Sequence, residues 1–406
     1  MTCLTGVRVL DLSRVFSGPW AAQMLADFGA DVIKVERPGR GDDVRQQGLR
    51  ARDAEGNETR ETSSFLAMNR GKRSITVDIA RPEGQALVRQ LAAGSDIVIE
   101  NFKAGDLARY GLDHFALRAL NPRLVYCSIS GFGQTGPYRH LPGYDPLFQS
   151  MSGLMSITGH ADDEPGGGPM RVGYSVGDIT AGFYAMAAIL AALRHRDLVS
   201  GEGQHIDLAL LDAQLASMSH VAMMYLVSGR QPPRLGNASP ITCPWQSFEC
   251  ADGQLVVAVG NDPQFAAFCQ VLGHPEWAAD DRFATNPQRA RNRQVLVPML
   301  AEVLRRRPVA EWHQRFEAAG VPTGPINDFE QVFADPQVTH RQMRLTLPHP
   351  TAGSVPQVAN PVKFSQTPVQ YHRAPPLLGE HTVEVLRERL SLDDARIAQL
   401  RQDQVI

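Results

Sequence analysis

The 406-residue sequence is poor in cysteine. Its five cysteines (Cys3, Cys127, Cys243, Cys250 and Cys269) are scattered, odd in number and never spaced C-x-x-C. Neither a disulfide framework nor a metal site is expected from them, and the usage suits a reducing, cytoplasmic setting. No run of about 18 uninterrupted apolar residues occurs, so no membrane span is expected. The most apolar helical stretch, Ile179 to Leu193, is rich in Ala and interrupted by Gly182, and reads as a buried core helix. There is no surplus of either charge: 40 Lys and Arg stand against 43 Asp and Glu, net −3. That excludes a global pull toward nucleic acid or a membrane surface. The first residues run straight into the strand-like Val7-Arg-Val-Leu-Asp-Leu12 with no basic leader, so no secretory signal is expected. Internal repeats and low-complexity segments are also missing.

What is present is an ordinary globular composition, 43% hydrophobic and 20% charged, long enough for two domains. Strand-like segments Val7–Leu12, Asp31–Glu36, Ser74–Asp78, Asp96–Glu100 and Arg123–Ile129 alternate with helical patterns at Ala21–Phe28 and Pro82–Leu91. Short apolar strands alternating with helices predict an α/β fold with a parallel sheet covered on both faces. The polar stretch Gly39 to Glu61 reads as a surface loop. After about residue 230 the pattern changes, with Pro232-Pro233 and the Gly/Asn/Pro-rich Gly236 to Pro244. The expected division is a large domain of residues 1–205 and 325–406, a small α+β domain of 225–322, and linkers at 206–224 and 323–324. A helix at Thr382–Leu390 is expected near the end.

Three motifs compete for the chemistry. Gly131-Phe-Gly-Gln-Thr-Gly136 spells a dinucleotide loop directly after a strand. That reading needs a helix beginning at the motif to hold phosphate on its N–H groups. Pro137, Pro142 and Pro146 follow instead, and the first strand–helix turn carries no glycine fingerprint. Gly173-Tyr-Ser-Val-Gly177 spells a nucleophile elbow on Ser175, but the glycine-rich Gly166–Pro169 upstream makes a poor strand. Asp178 heads an apolar helical stretch, where it reads as an N-cap whose charge the helix dipole favours. A carboxylate so placed is expected to stay ionised at neutral pH, as a carboxylate nucleophile requires.

Long ordered segments then decide among these readings. They include Val9-Leu-Asp-Leu-Ser13 with Ser17-Gly-Pro19, Phe28-Gly-Ala-Asp-Val-Ile-Lys-Val-Glu-Arg-Pro-Gly39, and Gly41-Asp42. Asn69, Lys72-Arg-Ser-Ile75, Glu100-Asn-Phe102, Gly131-Phe-Gly133 and Tyr144-Asp145 follow, then Gly177-Asp178, Gly201-Glu-Gly-Gln204 and Leu377-Leu-Gly-Glu-His-Thr382. Over nearly its whole length the chain resembles the class III CoA-transferases, the family of formyl-CoA transferase and carnitine CoA-transferase. The resemblance implies a Rossmann-like large domain and an interlocked homodimer. It implies a CoA-transferase in which Asp178 attacks an acyl-CoA, passes through a mixed anhydride to an aspartyl-CoA thioester, and hands CoA to an acceptor acid. The partners so implied are small molecules, an acyl-CoA and a carboxylic acid, with CoA as substrate rather than as a tightly bound cofactor.

By the same resemblance Tyr144 and Asp145 flank the acyl site. Phe16, Ser17, Arg37, Asn101, Phe102, Lys103 and Arg109 contact CoA, and Val77, Asp78, Ile79 and Ala80 form the adenine-binding stretch. Some relatives carry a run of glycines over the nucleophile, where this chain has Val259-Gly-Asn-Asp-Pro263. The α-methylacyl-CoA racemases share the architecture but need a His base where Tyr144 stands. A phenol of pKa about 10 is a poor base at neutral pH, although His140 is nearby. Tyr126 to Pro137, Gly143-Tyr-Asp145 with Ser152-Gly-Leu-Met155, and Gly320 to Asn327 look most like the succinate–hydroxymethylglutarate branch. That implies succinyl-CoA as donor and a short dicarboxylate as acceptor, with Arg139 and Arg171 as candidate partners for the second carboxylate. A serine hydrolase or thioesterase using Ser175, and a CoA-binding sensor without turnover, are the rival classes.

Overall fold

The computed structural model describes residues 1–406. The chain forms two compact units. The first is Met1–Ser152, Gly173–Ser219 and Pro336–Ile406; the second is Gly153–Val172 and His220–Asp335.

The first unit holds ten strands; two of them, Arg344–His349 and Gly353–Val358, pair as an antiparallel hairpin near the end of the chain, and the other eight come earlier. β1 (Arg8–Asp11), β2 (Asp31–Glu36), β5 (Arg73–Thr76), β6 (Ile97–Glu100), β7 (Val125–Ser130) and β8 (His205–Ala209) make a six-stranded sheet in the order β5-β2-β1-β6-β7-β8. Every pairing in it is parallel. A short antiparallel hairpin, β3 (Arg50–Arg52) and β4 (Glu58–Thr62), stands apart. Side chains alternate across the sheet with the two-residue strand period. Leu10, Val98 and Tyr126 pack with Leu87, Val88 and Leu91 on one face. Val9, Ile97, Ile99, Val125 and Cys127 pack with Ala21, Leu25, Ala181 and Ile189 on the other. Burial on both faces is why these strands read as nearly unbroken apolar runs.

Chain order reverses between β1 and β6. In open α/β sheets the crevice beyond the carboxyl ends of the strands at such a reversal is where ligands bind. The residues that follow β1 and β6 therefore face the natural site, whatever its chemistry.

Two expectations are corrected here. Gly39 to Glu61 is not simply a surface loop, because Asp42, Val44, Arg45 and Glu61 are buried. Arg45 grips Glu36 through two bonds of 2.7 and 2.8 Å and approaches Glu61 at 3.4 Å. Mutually paired charges let a polar sequence fold inward, which composition does not reveal. The helix of Val176–His195 is also not wholly a core helix. It buries Gly177, Ala181, Ala185, Ile189 and Ala192 and leaves Phe183 and Tyr184 exposed. By length and composition alone, Val176–Ser200 is apolar enough to cross a membrane, with 39% of its most apolar window buried.

The second unit has a three-stranded antiparallel sheet of Trp245–Glu249, Gln254–Ala258 and Thr323–Pro325. Helices Asp262–Leu272, Arg293–Leu304 and Val309–Ala318 cover it over a core of Phe248, Phe265, Phe268, Leu300, Trp312 and Phe316. It is an α+β unit.

Candidate active site

Two helices begin at the site. One, Ser17–Asp27, starts immediately after the β1 turn; the other is Val176–His195. They cross closely because Gly182 has no side chain: a Cβ there would lie 2.9 Å from the Ser17 carbonyl oxygen and 2.8 Å from Trp20 Cδ1. The turn itself closes tightly for the same reason, since a Cβ on Gly18 would stand 2.3 Å from the Ser13 side chain. This close crossing brings the start of the first helix to Asp178.

Asp178 is not the N-cap. The cap position belongs to Ser175, and Asp178 is the third residue of the helix. Ser17 lines the same cavity as Asp178, and its hydroxyl and N–H favour the charged carboxylate. That influence and the helix dipole stabilise the charge, yet they do not win. Burial first, and then the neighbouring Asp145 carboxylate, push the Asp178 pKa up to about 7. The expectation that Asp178 stays fully ionised at neutral pH is thereby corrected.

A cavity of about 260 Å³ opens over Asp178. Ser17, Asn101, Phe102, Lys103 and Tyr144 line it together with Asp178, and so do Arg14, Val15, Ser130, Gly131 and Arg139. Tyr144 is 74% exposed. Asp145 is buried and does not line the cavity; it accepts the Gly177 N–H at 2.7 Å and the Gln149 amide at 2.6 Å. Phe16 caps the Ser17–Asp27 helix without lining the cavity.

A second cavity, about 370 Å³, adjoins the first and shares Arg14, Asp43, Phe102 and Asp106 with it. Arg37, Asp78, Ile79, Ala80 and Arg109 line this one. Val77 also borders it, although its side chain belongs to the core below. Arg14 lies over the Phe102 ring at 4.7 Å, where the two cavities meet. Its pairing with Asp43 is loose, at 3.8 Å, as is that of Arg109 with Asp106, at 3.6 Å. Exposed pairs at such distances contribute little, so these guanidinium groups remain available to an anion.

One further carboxyl stands at the edge of the site. Glu100, the last residue of β6, accepts the Phe102 N–H at 2.8 Å, and burial pushes its pKa up to about 7. Arg14, Val15 and Glu100 were not among the candidates read from the sequence. Their signal was position alone, directly at or after the ends of β1 and β6.

Ser175 lacks the surroundings of a hydrolase nucleophile. No strand leads into it, and no histidine hydrogen-bonds to its hydroxyl. After Gly131–Gly136 the next helix starts at Asp145, so no helix N-terminus faces that glycine motif. His140 bonds to Arg139 at 2.9 Å and does not line the cavity. Arg171 lies in the second unit.

A doubly wound α/β unit with a carboxylate at the topological switch point and cation-rimmed slots beside it defines a class fitted to an anionic substrate. The chain belongs to CoA-transferase family III, whose model matches residues 4–382. It is 50% identical to the succinate–glutarate CoA-transferase of Agrobacterium fabrum over 95% of each chain. Identity to the human succinyl-CoA:glutarate CoA-transferase is 40%, over 98% of this chain and 88% of that one. A crystal structure of a CAIB/BAIF family protein from Brucella suis, 44% identical, superposes with a TM-score of 0.84 over 96% of this chain and 99% of that chain.

Proposed function

We propose that this enzyme moves CoA from succinyl-CoA to a short dicarboxylate through a covalent thioester on Asp178. The observation that carries the reading is the cavity in which Asp178 meets the turns after β1 and β6 beneath three cations, Arg14, Lys103 and Arg139. In the first step the Asp178 carboxylate adds to the thioester carbonyl and CoA thiolate leaves, giving a mixed anhydride. The thiolate then attacks the aspartyl carbon and expels the donor acid, leaving aspartyl-CoA. The acceptor carboxylate attacks that thioester, and the returning thiolate takes the acceptor acyl group and frees Asp178. No proton is gained or lost over the cycle, and the thioester energy is conserved. A covalent carrier splits one difficult exchange into steps of similar energy, and no resident cofactor is required.

The CoA nucleotide fits the larger cavity, with Arg37, Arg109 and Arg14 near its phosphates and Asp78 to Ala80 against adenine. Phe16, Ser17 and Asn101 to Lys103 lead the pantetheine arm toward Asp178. Tyr144 and Arg139 stand on the acyl side, and Arg139 is the cation for the far carboxylate. Relatives named for glutarate motivate the choice of a dicarboxylate. Asp145 is read as a positioning residue acting through Gly177. The exposed Phe183, Tyr184, Leu198, Val199 and Leu215 of the first unit support a homodimer that covers them. Five free cysteines suit a reducing cytoplasm.

An exchange assay tests the reading. Protein, succinyl-CoA and a panel of mono- and dicarboxylic acids are mixed, and new acyl-CoA species are identified by mass. Wild type yields dicarboxylyl-CoA, Ser175→Ala matches it, and Asp178→Ala yields none. Free CoA without new thioesters would point to hydrolysis at Ser175 instead.

A further inference from the structure

The turn after β1 holds a β-branched residue in a conformation such residues avoid. Val15 has φ of +68°, in the left-handed region. A side chain branched at Cβ is strained there. Such a residue persists only where its surroundings over-determine it, and such positions cluster at active sites.

The surroundings of Val15 do over-determine it. Lys34, fully buried in the middle of the sheet, donates to the Ser13 carbonyl at 2.8 Å and pairs with Asp42 at 2.8 Å. Asp42, equally buried, accepts the Val15 N–H at 3.1 Å and the Val44 N–H at 3.2 Å. Asn101 closes the other side: its amide oxygen takes the Arg14 N–H at 2.8 Å and its amide nitrogen donates to the Arg14 carbonyl at 2.6 Å. Beyond the turn, a second buried lysine, Lys72, holds the Pro19 carbonyl at 2.9 Å and Asp11 at 2.9 Å. Four consecutive or nearly consecutive backbone groups are thus fixed from three directions. Two residues after Val15, Ser17 lines the cavity together with Asp178.

We infer that the buried Lys34–Asp42 pair is a positioning device, which holds Val15 left-handed so that Ser17 stands beside the Asp178 carboxylate in the cavity they share. The inference rests on Asp178 being the nucleophile. The pair touches neither Asp178 nor any reacting atom; it acts through the backbone of residues 13–17. A buried ion pair is a weak source of stability. Its function here is to select one backbone conformation over the relaxed alternatives.

The test is a rescue. Asp42→Asn keeps one acceptor oxygen but gives up the charge that Lys34 holds, and kcat falls about a hundredfold, the scale of a misplacement near 1 Å. Glycine adopts φ of +68° without strain, so Val15→Gly in the Asp42→Asn background recovers about tenfold of the loss. Val15→Gly alone is the reference for the double variant; in its melting temperature the relief of strain at φ of +68° opposes glycine's extra unfolded-state freedom, so little net change is expected. A rescue of rate without a rescue of stability separates positioning from a merely structural role. If Asp42→Asn does not fold, the Lys34→Met/Asp42→Leu double variant, which removes both charges together, carries the same rescue. Wild-type turnover in a folded Asp42→Asn variant, or no recovery with Val15→Gly, overturns the inference and leaves the Asp178 reading intact. Asp178→Asn runs alongside; turnover there overturns the mechanism and this inference with it.

Discussion

Asp145 accepts the N–H of Gly177 at 2.7 Å, and so fixes a buried carboxylate one residue from Asp178. Two neighbouring carboxyls cannot both ionise easily. Asp145 has two hydrogen-bond donors, and burial first and then the Asp145 carboxylate push the Asp178 pKa up to about 7.

The first prediction is a pH dependence. The nucleophile is the ionised form, so kcat/KM for the acyl-CoA rises with pH and levels off above about pH 7. Asp145→Asn removes the repelling charge and moves the midpoint lower. A profile measured from about pH 5 to 9 checks this, and a flat profile is the adverse result.

The same shift has a stability consequence of definite sign. The folded pKa of Asp178 lies above the unfolded value of 3.8. The fold therefore favours the protonated acid, and that contribution is full below the unfolded pKa and lost as pH rises through about 7. Asp178→Asn mimics the protonated acid. Its melting temperature matches wild type near pH 4 and exceeds it at pH 8, while transfer is abolished. The N-cap at Ser175 is untouched, so no capping loss enters.

Ser17→Ala deletes the hydroxyl that favours the charged Asp178 carboxylate. Losing a bond to the charged form raises the pKa, so the midpoint of the kcat/KM profile moves up. At pH 7 the rate falls by about tenfold, the effect of about 1.4 kcal/mol. An unmoved midpoint would detach Ser17 from Asp178.

Arg139→Met keeps the length of the side chain and removes its charge. KM for a dicarboxylate acceptor is expected to rise about tenfold or more, since hydrogen bonds to charged groups contribute about 1.5–3 kcal/mol. KM for a monocarboxylate stays unchanged. Equal effects on both acids would remove Arg139 from the second-carboxylate role.

Gly182→Val forces a branched side chain into the helix crossing, where a Cβ would stand 2.9 Å from the Ser17 carbonyl. Overpacking of this kind costs about 1–3 kcal/mol. Chemical denaturation should register that loss, and transfer should fall with it because the crossing delivers Ser17 to Asp178.

The parallel sheet was legible from residues. Asp31–Glu36 emerges with its sequence-derived limits unchanged, because a strand buried on both faces writes its period and length in Val and Ile. The Thr382–Leu390 helix likewise keeps its limits. The Gly39 to Glu61 segment was misread because charged residues look like surface until their partners are known. Arg45 is inside only because Glu36, 9 positions earlier, and Glu61, 16 later, meet it there. Lys34 carried a usable signal, a lysine inside a run that must be buried, but its partner Asp42 was not visible in that run.

The sequence by itself determined the alternation of strands and helices along the first half of the chain and the chemical groups on offer, since local periodicity and residue type are properties of the chain alone. It also carried the long ordered motifs that identify the family. Tertiary structure decided which of those groups matter to each other. The pKa of Asp178 is set by Asp145, 33 positions earlier, and by Ser17, 161 positions earlier, and burial is the largest cause. Val15 is held left-handed by an aspartate and an asparagine from two other loops. Electrostatic energy and backbone strain depend on distances through space, and those exist only once the chain has folded.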